Sequence, residues 1–218
     1  KSSGKHPIPS NVLVAGNSLL LGMENSFGMC SSASDKDYFH HLSTYICKFN
    51  PGCVFNKLHI SGYEHCESME MFENWWSTDA NVYTGKPAKD SFADDLDLIV
   101  LQFGDNINTE AKFATFKADG DAFIERIKAA CPKARIIVVN AWYSREPVFS
   151  DIASLCERWG IERIDIRDLR RVETEARDLK EFLSNDGSMK PVRETWITHP
   201  GDEGMRLIGE RISEYLAF

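Results

Sequence analysis

The sequence lacks the signatures of several common protein classes. Its six cysteines include no Cys-x-x-Cys pair, which argues against a zinc or thioredoxin-like redox motif. It has no Gly-x-Gly-x-x-Gly loop and no P-loop, which argues against a nucleotide- or flavin-binding doubly wound domain. Its longest apolar runs reach about half a dozen residues, far short of the roughly 18 that a membrane-spanning helix needs.

Positive charge is also scarce. The 25 lysines and arginines against 33 acidic residues give a formal net charge of -8. Nucleic acid is therefore not expected as the main partner, because binding phosphates needs clustered basic side chains. No secretory leader is visible, but since the sequence starts at Lys1 rather than Met, that absence decides nothing about export.

What is present is an alternation of strand-like and helix-like segments. Strands are predicted at 12–15, 54–60, 98–103, 135–140 and 161–166, most of them rich in Val, Ile and Leu as in strands buried on both faces. Helices are predicted at 37–49, 68–76, 113–130, 148–159 and 204–216, and the strongly charged segment 172–183 predicts a solvated helix. This alternation indicates an α/β domain with a parallel sheet and right-handed crossovers.

We expect residues 1–218 to form a single domain, with 1–10 as a flexible tail. Ser18, Gly62 and Asn106 each follow a predicted strand by a few residues. Ligands of parallel α/β sheets bind at the carboxyl ends of the strands. The fold argument therefore brings these three residues to one edge of the sheet.

Four short motifs then resemble, in order and spacing, the SGNH hydrolases, which are also called GDSL-type esterases and lipases. Gly16-Asn17-Ser18-Leu19 matches the Gly-Asp-Ser-Leu block, with Asn in place of Asp. Ile60-Ser61-Gly62 matches the glycine block, and Gly104-Asp105-Asn106 matches Gly-x-Asn. His199-Pro200 matches the second half of Asp-x-x-His-Pro. The resemblance covers most of the chain, although each motif is short.

The resemblance implies a three-layer α/β/α fold with a parallel five-stranded sheet, of the SGNH, flavodoxin-like type. It implies that Ser18 is the nucleophile and His199 the general base. It also implies an oxyanion hole formed by the backbone N–H groups of Ser18 and Gly62 and the side-chain amide of Asn106. Such a Ser–His mechanism needs no metal or organic cofactor.

One departure from the family lies beside the histidine. Trp196 stands three residues before His199, where the family has an Asp. Glu194 could supply the carboxylate from a shifted position, a backbone carbonyl could orient His199 and leave a Ser–His dyad, or the site could be weakened or inactive. Losing the triad carboxylate costs about 10⁴ in turnover in a serine protease. We favour a working dyad or a triad assisted by Glu194.

Aromatic residues suggest what the site would accept. Trp142, Tyr143 and Trp196 are predicted near it, where they would stack on a sugar, bound an acyl pocket, or fill the core beneath the loops. We expect a secreted or periplasmic serine esterase, with a cytoplasmic location still open, that removes a small acyl group such as acetyl from a carbohydrate. The alternative is a non-catalytic glycan- or ligand-binding protein on the same fold. The oligomeric state is left open.

Overall fold

The computed structural model describes residues 6–143 and 145–218. The first five residues of the predicted tail lie outside the described part. Within that tail, Pro9 is buried and its carbonyl accepts a hydrogen bond from Asn50 Nδ2 at 3.0 Å. The Ser10 carbonyl accepts one from the Val54 backbone N–H at 2.8 Å, so the end of the predicted tail is held in place.

The chain divides into two compact units, neither of which is one continuous stretch. The first contains residues 11–17 and 56–167 and is called the sheet unit below. The second contains 18–55, 168–218 and the N-terminal segment that ends at Ser10, and is called the His199 unit. The boundary passes through the second strand, between Phe55 and Asn56.

A five-stranded parallel sheet is the frame of the sheet unit. Its strands are β1 (Asn11–Gly16), β2 (Val54–His59), β3 (Leu98–Gln102), β4 (Arg135–Val139) and β5 (Glu162–Ile164), in the spatial order β2-β1-β3-β4-β5. This is the flavodoxin-like order, in which the switch point lies between β1 and β3. The predicted α/β class, the parallel sheet and its five strands are confirmed.

The helices also follow the predicted pattern. They are α1 (Tyr38–Cys47), α2 (Ser61–Glu64), α3 (Met69–Ser77), α4 (Glu110–Ala130), α5 (Val148–Trp159) and α6 (Asp202–Leu216). Asp37 and Ser68 cap α1 and α3 by accepting backbone N–H groups, and Gly160 ends α5 in the left-handed conformation, with φ 59°. The sequence missed α2, which is only one turn long.

The core of the sheet unit lies against one face of the sheet. Its buried apolar cluster takes alternate residues of β1 and β3, Leu13, Ala15, Ile99 and Leu101, together with side chains of α3, α4 and α5. Because successive side chains of a strand point to opposite faces, this alternation shows which face the three helices cover.

The His199 unit is built around the pair α1 and α6. Gly209 of α6 lies so close to α1 that a Cβ atom there would be 2.6 Å from His41 Cβ and 3.0 Å from the Tyr38 carbonyl oxygen. The unit also holds a short antiparallel hairpin, β6 (Glu181–Leu183) and β7 (Met189–Pro191).

The predicted charged helix over 172–183 is wrong. The segment contains a 3-10 turn, Val172–Thr174, and ends in β6. The Thr174 hydroxyl donates to the Leu169 carbonyl at 2.7 Å and accepts from the Arg171 N–H at 2.9 Å. A threonine side chain that bonds the local backbone in this way competes with helix formation, which the spacing of charges does not reveal.

The close approach of α1 and α6 predicts the effect of Gly209→Ala. Although alanine gains about 1 kcal/mol in helix propensity over glycine, the added methyl group overpacks the helix pair, so we expect a net loss of about 1–3 kcal/mol in the free energy of unfolding. Urea denaturation measures it. Gly52→Ala is the control, since the nearest atom to its Cβ is 3.5 Å away. A variant as stable as the parent would contradict this packing.

Candidate active site

Ser18 and His199 meet within the His199 unit. Ser18 lies two residues beyond the end of β1, and His199 lies three residues before α6. The Ser18 Oγ and His199 Nε2 atoms are 3.5 Å apart, and both side chains are half-buried. This separation is at the long end for a hydrogen bond, as is common for a nucleophile and its base before substrate binds.

The other ring nitrogen of His199 contacts a backbone carbonyl. His199 Nδ1 lies 3.1 Å from the Trp196 oxygen. Because a carbonyl oxygen only accepts hydrogen bonds, this contact favours the tautomer with the proton on Nδ1. That tautomer leaves a lone pair on Nε2, facing the Ser18 hydroxyl, which is the arrangement a general base requires.

The backbone around His199 is fixed on both sides. Its N–H donates to the Trp196 carbonyl at 2.8 Å, and its own carbonyl accepts from the Ala176 N–H at 2.8 Å. An isolated antiparallel bridge pairs Glu175 with Pro200. The segment mistaken for a solvated helix therefore supports the loop that carries the histidine.

Glu194 is the residue that the sequence offered as an alternative orienter of His199. It begins a 3-10 turn, Glu194–Trp196, and its side chain is exposed. Within residues 6–143 and 145–218, no hydrogen bond or ion pair is found for its carboxylate. Of the three alternatives left by the sequence, the backbone-oriented dyad is the one that this geometry resembles.

A buried polar network occupies the sheet unit beside the ends of β1 and β3. Asn17 Nδ2 donates to Glu64 Oε1 at 3.2 Å and to Asp105 Oδ2 at 3.0 Å. Asp105 also accepts from Gln102 Nε2 at 2.9 Å and from the Tyr143 N–H at 2.8 Å. The residue that replaces the motif Asp thus bridges two carboxylates through its amide.

Asn106 and Gly62, the predicted oxyanion donors beyond the nucleophile, also lie in the sheet unit. Gly62 is exposed on α2. Asn106 is half-buried, and its Nδ2 is 2.6 Å from Glu64 Oε2 and 3.5 Å from Ser61 Oγ.

Solved structures of lipases and esterases share this fold. A GDSL-like lipase from Bacteroides ovatus superposes with a TM-score of 0.55 and 14% identity, over 95% of this chain and 97% of that one. An extracellular lipase from Streptomyces rimosus gives 0.54 and 14%, over 96% and 100%. The chain has the SGNH hydrolase fold.

Another solved structure with a similar fold is a two-domain esterase active on acetylated mannans, with a TM-score of 0.57 and 15% identity. The match covers 94% of this chain but 48% of the esterase, so the chain spans about half of that protein. No protein-family model matches the sequence, and no curated protein matches it.

Glu64 is a residue of this SGNH fold that the sequence reading missed. It is fully buried, and burial together with the neighbouring Asp105 raises the pKa of its carboxyl to about 7. The available signal was indirect: with Asn17 in the motif position, the first block lacks its carboxylate, and Glu64 follows Gly62 by two residues.

The three predicted aromatic residues differ in exposure. Trp142 is 1% exposed and Trp196 is 7% exposed. The Trp196 ring packs against Phe182, with ring centroids 5.8 Å apart, in a cluster of the His199 unit. Tyr143 is half-buried, so it is the one of the three whose side chain reaches solvent substantially.

The described residues contain neither a metal-binding cluster nor a membrane-spanning helix. No group of three or more His, Cys, Asp or Glu side chains is arranged to hold a metal ion. Among the described helices, none combines the length and apolar character that crossing a bilayer would need.

Burial of Glu64 predicts a pH-dependent stability. A carboxyl whose pKa is higher in the folded than in the unfolded state stabilises the fold below its unfolded pKa, and this contribution is lost as the pH rises through the folded pKa. Glu64→Gln removes that titration. Between about pH 5 and pH 8, its free energy of unfolding should therefore rise relative to the parent by up to about 3 kcal/mol. Denaturation curves at both pH values test this, and parallel changes in the two proteins would contradict it.

Proposed function

We propose that this protein is a serine esterase in which a Ser18–His199 dyad is oriented by the Trp196 carbonyl. The observation that carries it is the position of one ring, with Nε2 3.5 Å from Ser18 Oγ and Nδ1 3.1 Å from the Trp196 oxygen. A base and an orienter on opposite ring nitrogens are the parts that an activated serine needs.

In the proposed reaction, His199 Nε2 takes the hydroxyl proton as Ser18 Oγ attacks the ester carbonyl. The tetrahedral intermediate carries an oxyanion, for which the motif order assigns the N–H groups of Ser18 and Gly62 and the Asn106 amide as donors. Imidazolium returns the proton to the leaving alcohol, which leaves an acyl-serine. Water, deprotonated by His199, hydrolyses that ester and restores the enzyme.

The Trp196 carbonyl takes over part of the role of a triad carboxylate. It holds Nδ1 protonated and fixes the ring, and its partial negative charge favours the imidazolium that forms in each step. It supplies less charge stabilisation than a carboxylate, because the carbonyl carries only a dipole. The expected enzyme is therefore active but slower than one with a full triad.

We propose a small acyl ester as the substrate, with carbohydrate O-acetyl groups as the favoured case. Support comes from the mannan-active esterase among the structural neighbours and from the absence of a long apolar lid segment in the sequence. An exported location is proposed on similar grounds, since one neighbour is an extracellular lipase. A single domain over 1–218 remains a prediction.

Ser18→Ala tests the nucleophile. We expect hydrolysis of p-nitrophenyl acetate to fall by at least about 10³-fold, because no other group replaces the attacking oxygen. A fluorophosphonate should label the parent protein and not this variant. Ser43→Ala is the matched control, since that hydroxyl donates to the His40 carbonyl inside α1. A parent protein that neither hydrolyses esters nor reacts with the label would favour the non-catalytic binding protein.

Glu194→Gln separates the dyad from the shifted triad. With His199 held by a backbone carbonyl, we expect kcat/KM to stay within about twofold of the parent, whereas His199→Ala should lose about 10³-fold or more. Measuring kcat/KM against pH for both variants gives the comparison. A large loss of kcat/KM in Glu194→Gln, together with a shift of the acidic limb of its pH profile, would show that the Glu194 carboxylate orients His199.

A further inference from the structure

Glu64 is a buried carboxylate that the proposed reaction does not use directly. Its side chain is 0% exposed. Oε1 accepts hydrogen bonds from the Gly104 N–H at 2.5 Å, from Asn17 Nδ2 at 3.2 Å and from the Asn106 N–H at 3.5 Å. Oε2 accepts from Asn106 Nδ2 at 2.6 Å. Four donors from two separate loops therefore converge on one side chain.

The contact with Oε2 decides which way the Asn106 amide faces. Above its pKa of about 7 the Glu64 carboxylate is ionised and only accepts hydrogen bonds, so the NH₂ end of Asn106 points at Glu64 and its carbonyl end points away. The NH₂ group has two hydrogens, and the short bond uses one of them. The second hydrogen points towards Ser61 Oγ at 3.5 Å, which is a long and therefore weak hydrogen bond.

The contact with Oε1 anchors Glu64 itself. The Gly104 N–H belongs to the backbone that carries Asn106, so the carboxylate joins the main chain and the side chain of the same loop. Gly104 has φ 120°, and a Cβ atom there would be 2.9 Å from both Ala141 Cβ and Ile152 Cδ1. Close packing thus fixes the loop at Gly104, and Glu64 fixes it through the Gly104 N–H and the Asn106 side chain.

The Asn17 amide stabilises the buried Glu64 carboxylate beside Asp105. Glu64 and Asp105 are both acidic, and the Asn17 amide lies between them as a donor to each. An aspartate at position 17 would put a third carboxylate in the same buried network, where like charges repel strongly. The Asn of the first block and the Glu of α2 are thus compatible as a pair.

We infer that Glu64 is a positioning residue for the oxyanion, because it holds the Asn106 amide so that its second N–H, bonded only weakly to Ser61 Oγ, is presented by a fixed donor. This inference rests on the proposed esterase reaction. Glu64 would touch neither substrate nor nucleophile, and its effect would pass through Asn106.

Glu64→Gln tests the inference with almost no change of shape. The glutamine carbonyl must stay on the side of the Gly104 N–H and Asn17 Nδ2, because both donate there. Its NH₂ group would then face the Asn106 NH₂ group, and Asn106 would have to turn its own carbonyl oxygen inward. We expect kcat to fall by about 10- to 100-fold with KM little changed, since the affected interaction forms mainly in the transition state.

A double-mutant cycle with Asn106→Ala distinguishes positioning from a purely structural role. Asn106→Ala alone should cost about 10²–10³-fold in kcat. Adding Glu64→Gln to it should cost less than about twofold more, because the group that Glu64 orients is already gone. If the two losses multiply, Glu64 acts on activity through something other than Asn106 and the inference is overturned.

Glu67→Gln is the matched control, because this exposed glutamate accepts from the Thr109 hydroxyl at 2.7 Å three residues along the same segment. It should keep the parent kcat. Circular dichroism and thermal denaturation check that every variant is folded.

An NMR measurement gives a readout besides activity. The Asn106 side-chain NH₂ signals, identified by their loss in Asn106→Ala, should show one strongly downfield proton that moves upfield in Glu64→Gln. If the Asn106 NH₂ signals are the same in the parent and in Glu64→Gln, the inference is overturned, whereas the proposed esterase function is not affected. If the parent shows no Ser18-dependent hydrolysis, the proposed function fails, and the inference fails with it.

Discussion

Two buried carboxylates near the ends of β1 and β3 require hydrogen-bond donors, and this requirement positions the loops that follow these strands. Glu64 and Asp105 are surrounded by amide donors of Asn17, Gln102 and the backbone. Each bond constrains a loop that follows a strand, because a buried acceptor left without its donor would cost about 1–3 kcal/mol or more. The loops are thus ordered by a shared electrostatic requirement as well as by apolar packing, and Asn106 takes its orientation from it.

In the His199 unit, a main-chain carbonyl rather than a carboxylate contacts the Nδ1 atom of the histidine. A triad carboxylate depends on one side chain, whereas the group that contacts His199 Nδ1 belongs to the peptide unit of residue 196, and this contact is the orienter in the proposed dyad. Position 196 is therefore free to carry an apolar side chain, and its indole fills a cluster with Met29, Cys30 and Phe182. Trp196 occupies the position at which the family motif has an Asp. Its carbonyl oxygen contacts the His199 ring, and its own ring packs in the apolar cluster.

The sequence predicted the frame of the fold well because strand burial and helix periodicity are local signals. The helix 148–159 was predicted to the residue, since an apolar stripe is followed by a glycine that adopts the left-handed conformation. Glu64 escaped notice because its burial depends on donors from two distant loops, which no local pattern shows. The segment 172–183 misled for a similar reason: its charges suggested a helix, while the Thr174 hydroxyl and the backbone pairing with the His199 loop determine its path. The proximity of Ser18 to His199 was expected from motif order alone, since 181 residues separate them.

A peptide oxygen also differs from a carboxylate in having no proton to gain near neutral pH. In acidic surroundings an aspartate orienter would become neutral and could turn from acceptor to donor, and it would then no longer accept the Nδ1–H of the imidazolium. The Trp196 oxygen keeps its acceptor character at any pH at which the chain stays folded. The orientation of the His199 ring therefore does not depend on the ionisation of the group that holds it. We expect the contact between Nδ1 and the Trp196 oxygen to persist at acidic pH.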